Sequence, residues 1–357
     1  MKFTKLEKKI IDTPEFQQLR VVKQLGQVFR VYPTATHSRF EHSLAVCHKS
    51  GHIVDVLSNK NTDSMYFSDQ DKQMIRIAGL CHDLGHCVDS HEFDDLSERL
   101  GIPENMRFHE NRSCELLCYI TQKYQIELNN DQLDFICDVI RGNARDSAKS
   151  YLFEIVANRF CETESDKEYL LRDSYYCGFK RDLDFERMYT SAKILKCADG
   201  KFHIVFHEKV APILLDMFQL RQKMFTDVYF HPTAIRIKTM MADIHERLNN
   251  IFDYKSIFAL PDHRWRFFFT DHIYGILEFA MFHFPLHSPE KQQMLKEAHD
   301  IYQMILRREF YPPRQTAESL SHHLKPMKKS MNSILLYKRG SNEIFSFGDM
   351  YHTEEII

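Results

Sequence analysis

Met74-Ile75-Arg76-Ile77-Ala78-Gly79-Leu80-Cys81-His82-Asp83-Leu84-Gly85-His86 is the stretch on which the reading of the fold turns. Between Gln70 and Leu84, the residues Met74, Ile77, Ala78, Cys81 and Leu84 recur at three- and four-residue steps, which marks one face of a helix. The apolar helix runs into His82-Asp83, and Gly85 suits a helix stop. Adjacent helical side chains diverge by about 100°, so an imidazole and a carboxylate approach one cation from neighbouring directions if it lies beyond the helix end. A His-Asp pair alone is uninformative. One that ends an apolar helix, with His86, His91 and Asp94 following from a short irregular stretch, points to a metal site.

Outward from this stretch helical periodicity dominates. Leu133, Ile136, Val139 and Ile140 share a face, as do Leu152, Ile155 and Val156, and Asp216–Met224, Ile235–Leu248 and Glu290–Arg308 read as helices. Only 11 Gly and 11 Pro punctuate 357 residues, too few for a loop-rich all-β fold. Strand signals are confined to Phe202–Phe206 and to Ile334–Tyr337 and Glu343–Phe347, the last two flanking a turn and reading as a terminal hairpin. Pro312-Pro313 followed by Gln315–Ser321 is the best candidate boundary, dividing 1–316 from an appendage at 317–357.

A net charge of −3 advertises neither a nucleic-acid nor an anionic-membrane partner, so any anion must be held by a local cluster. No apolar run is long enough to span a bilayer. The nine cysteines, all between Cys47 and Cys197, contain no C-x-x-C, and a reduced intracellular chain, nuclear or cytoplasmic, is expected. There is no G-x-x-x-x-G-K-[ST] loop and no G-x-S-x-G elbow. His-Asp chemistry without a nucleophile motif points to metal-assisted hydrolysis, in which a divalent ion lowers the pKa of water and neutralises a phosphoryl oxygen.

Further ligands have to come from other segments. Thr36-His37-Ser38-Arg39-Phe40-Glu41-His42-Ser43 opens a helix and offers His42, which taken alone reads as a capping or packing residue. Arg39 shares its face if the helix begins that early, and a guanidinium there suits phosphate oxygens. Asp166, Tyr169 and Asp173 fall at i, i+3 and i+7, a stripe that by itself is an ordinary solvated face but offers a fourth, carboxylate ligand in Asp166.

Together, His42, His82-Asp83 and Asp166 resemble the H…HD…D signature of the HD-domain metal phosphohydrolases. Lys9–Gly26, Arg39–Val46, Ala78–Asp94 and Asp216–Phe218 are similar to the catalytic domain of the SAM-and-HD-domain deoxynucleoside triphosphate triphosphohydrolase family of animals, and the likeness runs from about Lys9 to Thr316. The resemblance implies a mainly α fold: an HD-domain helical core, a helical C-terminal lobe and a small β-hairpin near the C-terminus, in a form without the SAM domain. It implies hydrolysis of a dNTP at the α-phosphate to deoxynucleoside plus inorganic triphosphate. Carried over residue by residue, His42, His82, Asp83 and Asp166 hold the metal (Fe, Mn, Zn or Mg), with Glu164 as a substitute for Asp166. His86, His91, Asp94 and His109 serve acid/base and phosphate contacts. Arg39, Lys167 and Arg221 neutralise the triphosphate, and Gln24, Leu25, Tyr169, Asp173 and Tyr229 surround the sugar. Leu25 beside C2′ penalises a ribose hydroxyl left without a partner. Asp12, Gln17 and Arg20 match a guanine-recognising regulatory pocket that takes GTP as activator, and Arg187, Lys209 and His231 match parts of a second regulatory subsite. A homo-oligomer, dimer or tetramer, is the expected assembly.

The chain departs from that pattern in three places. Asp166 to Asp173 is one residue shorter, Phe225-Thr226-Asp227 stands where the family carries a His and two Arg, and the arm completing the regulatory pocket has no counterpart. The expectation is a dNTP triphosphohydrolase with weakened or altered nucleotide activation. The alternatives are an HD enzyme acting on another nucleotide phosphate ester and a catalytically silent nucleotide-binding paralogue.

Overall fold

The computed structural model describes residues 1–60, 67–143, 149–157, 168–179, 182–283, 288–312, 332–338 and 343–350. The helices are α1 (Lys5–Ile11), α2 (Pro14–Gln17), α3 (Arg39–Lys60), α4 (Asp69–Cys81), α5 (His91–Leu96), α6 (His109–Lys123), α7 (Asn130–Arg141), α8 (Tyr169–Tyr176) and α9 (Phe185–Ser191). After strands β1 (Lys193–Lys196) and β2 (Phe202–His207) come α10 (Ala211–Met224), α11 (Pro232–Phe252), α12 (Tyr254–Phe258), α13 (Trp265–Phe268), α14 (Ile273–His283) and α15 (Pro289–Leu306). Strands β3 (Leu335–Tyr337) and β4 (Ile344–Ser346) and a last short helix, α16 (Phe347–Met350), close the order. The fold is mainly helical, as the periodicity predicts.

α4 starts with a capping box: Asp71 N donates to Ser68 Oγ at 3.0 Å and Ser68 N to the Asp71 carboxylate at 2.9 Å. Its Met74, Ile77, Ala78 and Cys81 are buried against α3 and α7, and burying each larger side chain contributes about 1.5–3 kcal/mol. The regular helix stops at Cys81, earlier than the apolar pattern to Leu84 and the Gly85 stop suggest. The cause is local competition for carbonyls. His82 Nδ1 lies 2.9 Å from Gly79 O, Ser113 Oγ donates to His82 O at 2.7 Å, and the chain tightens into i→i+3 turns from Leu84 N to Cys81 O and from His86 N to Asp83 O.

The three long helices predicted downstream appear as α10, α11 and α15, and α11 packs along α15. Leu152, Ile155 and Val156 instead lie on and beside a 3₁₀ segment, Ser150–Glu154, because residues 150–156 are buried all round rather than on one face. His91 and Asp94, expected on an irregular stretch, sit on the short helix α5.

The sheet has the order β1-β2-β3-β4. β1 and β2 are antiparallel with Ile194 opposite Ile204, β2 and β3 parallel with Phe206 opposite Leu336, and β3 and β4 antiparallel with Leu336 opposite Phe345. The terminal hairpin thus extends a sheet that begins well upstream. Residues 313–331, which include the expected boundary between 316 and 317, lie outside the described residues. Every cysteine among the described residues is a free thiol, and no described helix is long and apolar enough to cross a membrane.

Candidate metal centre

A short backbone bridge places the first ligand. Lys23 pairs with Ser38, Arg39 N donates to Val22 O and Gln24 N to His37 O, both at 2.9 Å, so residues 22–24 lie against the entry to α3. α3 begins at Arg39, and Arg39 and His42 share one buried face at its first turn.

Across the site stands the end of α4. His42 Nε2 lies 3.2 Å from His82 Nε2 and 3.4 Å from Asp83 Oδ2, and His82 Nε2 lies 3.4 Å from Asp83 Oδ1. Ligand atoms bonded at about 2.1 Å to one tetrahedral ion sit about 3.4 Å apart, so these separations fit a shared cation. The chemistry of the donors fits too. Gly79 O only accepts, so His82 carries its proton on Nδ1 and turns a lone pair on Nε2 inward. Burial pushes the Asp83 carboxyl upward, yet the Arg39 guanidinium beside it, with His82 and His86, holds it well below the usual carboxylate range. Asp166 and its substitute Glu164 lie outside the described residues, as does Lys167. On the far side of His42, Arg172 Nη1 lies 3.2 Å from Nδ1, and Arg172 Nη2 donates to Glu168 at 2.6 Å.

A second group adjoins the first through Asp83, whose Oδ1 is 3.3 Å from His86 Nε2 and 3.9 Å from His109 Nε2. His86, His91, Asp94 and His109 converge within 4.8 Å, with His86 and His109 stacked at 3.9 Å between ring centroids. Burial, with Arg39 and His109 nearby, pushes His86 well below the ordinary imidazole range and keeps it neutral. Burial also opposes the charge on His109, but Asp94 accepts from its Nδ1 at 2.7 Å and raises it. His91 stands exposed at the rim.

Arg39, expected on phosphate, is tied down here: Nη1 pairs with Asp83, and Nη2 with Ser90 Oγ and, at 3.4 Å, with Gln24 O. Ser90 Oγ also donates to Gln24 O at 3.0 Å, which joins the metal side to the predicted sugar side. There Asp173 is buried on α8, bonded by His37 Nε2 at 2.8 Å and by Tyr229 OH at 2.7 Å. Tyr229 closes a π-helical turn after α10, and burial pushes its hydroxyl well up. Burial likewise lowers Arg221 to about 10. Leu25 and Tyr169 are half-buried against the core.

An HD domain model matches residues 39–200. The chain is 36% identical over 235 residues to the deoxynucleoside triphosphate triphosphohydrolase SAMHD1 homolog of Dictyostelium discoideum, covering 65% of this chain and 44% of that protein. It is 33% identical over 341 residues to SAMHD1 of Xenopus laevis, covering 85% and 52%. Against a putative HD domain-containing protein of Acanthamoeba polyphaga mimivirus it is 31% identical over 331 residues, covering 87% and 70%. The chain is a SAMHD1-family HD-domain protein. It spans about half the length of the SAMHD1 relatives it matches.

In this SAMHD1-family chain the predicted regulatory residues fall in two sets. Asp12 caps α1, and Gln17 donates to Ile11 O at 2.7 Å while accepting from Arg20 Nε at 2.8 Å, so the first three cluster at one corner. Arg187 on α9 and Lys209 before α10 are exposed, and His231 caps α11. Asp227 is paired with Lys223 one turn earlier, which offsets the negative charge it introduces. Sequence reasoning missed His37, Ser90 and Arg112. His37 lies inside the quoted Thr36–Ser43 stretch, Ser90 within Ala78–Asp94, and Arg112 follows His109 on α6, but nothing in their spacing announces their partners.

Proposed function

We propose that this chain hydrolyses deoxynucleoside triphosphates to deoxynucleoside and inorganic triphosphate, with one divalent ion held by His42, His82, Asp83 and Asp166. The observation that carries the reading is the convergence of one donor atom each from His42, His82 and Asp83 within 4.8 Å, the two imidazole Nε2 atoms 3.2 Å apart, beside the His86–His109 pair. Two imidazoles in the set favour Fe, Mn or Zn over Mg, which prefers all-oxygen surroundings. When bound, such an ion neutralises phosphoryl charge and lowers the pKa of water.

The side chains do the rest. His109, its Nδ1–H committed to Asp94, presents Nε2 toward the reacting centre and handles a proton there. Neutral His86 beside it adds no charge of its own, and His91 at the rim meets incoming phosphate. Lys167 and Arg221 offset the triphosphate charge, and Arg39, its guanidinium committed to Asp83 and Ser90, adds positive field from behind the metal ligand. Gln24, Leu25, Tyr169, Asp173 and Tyr229 enclose the sugar, and a ribose 2′-hydroxyl against Leu25 loses its water without gaining a partner. The similarity to SAMHD1 relatives named as deoxynucleoside triphosphate triphosphohydrolases supports the same substrate. We place GTP at Asp12, Gln17 and Arg20, and a second regulatory subsite at Arg187, Lys209 and His231, with nucleotide activation weakened or altered, in a homo-oligomer.

The test is hydrolysis of each dNTP by the purified chain with and without GTP, its metal content measured alongside and inorganic triphosphate resolved from orthophosphate. Triphosphate release supports the reading; orthophosphate points to a different phosphate ester, and absence of both metal and turnover to a silent paralogue. Strict GTP dependence refutes the altered activation.

A further inference from the structure

A 2′-deoxynucleoside 5′-phosphate carries one free sugar hydroxyl, at C3′, so a buried carboxylate in the sugar pocket has that hydroxyl as its available sugar donor. Asp173 is such a carboxylate. Its Oδ1 accepts from His37 Nε2 at 2.8 Å and its Oδ2 from Tyr229 OH at 2.7 Å, which leaves acceptor capacity on each oxygen. His37 does more than hold Asp173. Its carbonyl accepts from Gln24 N at 2.9 Å, and its ring stacks on Tyr176 at 4.4 Å and 12° with no exposure to solvent. One residue therefore fixes both the backbone that carries Gln24 and the orientation of Asp173.

We propose that His37 is a positioning residue for recognition of the sugar 3′-hydroxyl, setting Asp173 and Gln24 on either side of it. This rests on the nucleotide reading above. The carboxylate only accepts, so His37 must carry its proton on Nε2, and the stack on Tyr176 keeps the ring from turning away. Loss of the Nε2–H lets Asp173 swing on its own torsions, and an acceptor in the wrong place contributes nothing to a hydroxyl.

The test compares a dNTP with the matching 2′,3′-dideoxynucleotide, by calorimetric binding and by triphosphate release, in the full chain and in His37→Phe and His37→Gln. The phenyl ring keeps the stack without the donor, and the Gln amide restores a donor. Wild type is expected to bind the dNTP about tenfold or more tightly than the dideoxy form, as for a hydrogen bond to a charged group. His37→Phe should bring that ratio to within about threefold of unity while dideoxy binding changes by less than about threefold, and His37→Gln should recover most of the preference. A full preference in His37→Phe, equal losses on both nucleotides, or no preference in wild type overturns the proposal. Nucleotide binding without hydrolysis sinks the enzymatic reading alone, and the ratio still decides the role of His37. No binding of either nucleotide overturns both.

Discussion

Arg112 and Asp94 form a buried ion pair behind His109: Arg112 Nη2 donates to Asp94 Oδ1, while Asp94 Oδ2 accepts from His109 Nδ1 at 2.7 Å. The same guanidinium donates to Gly85 O at 2.7 Å, to Met106 O at 2.7 Å and to Arg107 O at 2.8 Å. One cation thus ties the loop after His82-Asp83 to the start of α6.

Removing that cation should be costly. Arg112→Leu leaves the Asp94 charge with one fewer partner in a buried site and three carbonyls unsatisfied, and a broken buried pair costs about 3–5 kcal/mol. Urea unfolding should show a loss of that order, with Arg112→Lys recovering part of it because an ammonium reaches fewer of the acceptors. A loss under about 1 kcal/mol would mean the loop and α6 are held by other contacts.

The metal assignment makes a separate prediction. His82→Ala removes a donor whose orientation is set by Gly79 O, so bound divalent metal per chain should fall at least about tenfold, and dNTP turnover with it. Elemental analysis and a triphosphate assay on the same preparation check both, with circular dichroism confirming an unchanged helical signal. Full metal content in the variant would refute the ligand set.

Stability should also titrate through a group on the sheet. His203 on β2 sits between Glu154 and Asp199. The bond to Glu154 raises it most, burial opposes, Asp199 adds, and its pKa rises from 6.5 to about 9. Because the folded pKa lies above the unfolded one, the contribution is complete below pH 6.5 and disappears as pH climbs through about 9. Denaturant midpoints at pH 6, 7.5 and 9.5 should fall across that window in wild type and stay flatter in His203→Gln, which cannot take up the proton.

What was legible in the sequence was local. Apolar steps along α4 ending in His82-Asp83 needed nothing beyond one helix, and the long helices α10, α11 and α15 announced themselves the same way. β1 did not, because four residues, Lys193–Lys196, become a strand only by pairing with β2. The polar cores were harder still. Asp89 accepts from Gln27 at 2.8 Å, His245 at 3.1 Å and Tyr274, residues 62, 156 and 185 positions away, and His37 reaches Asp173 across 136. Periodicity reports which face of an element is buried, not which polar groups meet once it is.

Gly85 is where local chemistry and long-range packing meet most closely. A Cβ there would stand 2.4 Å from Ser113 N, 2.5 Å from Arg112 Cβ and 2.5 Å from His109 O, two of them backbone atoms that cannot rotate aside. Gly85 N also donates to Ser113 Oγ at 2.8 Å, so the loop cannot retreat without losing that bond. Gly85→Ala must therefore push α6 and the His82–His86 turn apart, at about 1–3 kcal/mol for overpacking. The same movement separates His86 from His109, so turnover should drop by more than the stability loss alone explains, measured where the variant remains fully folded. Gly275→Ala supplies the contrast: nothing lies within 4 Å of its Cβ on α14, so it should be neutral or stabilise by up to about 1 kcal/mol as a helix-interior change. Equal, small effects from both substitutions would show that the loop has room to yield, and that His86 and His109 are not held together by this contact.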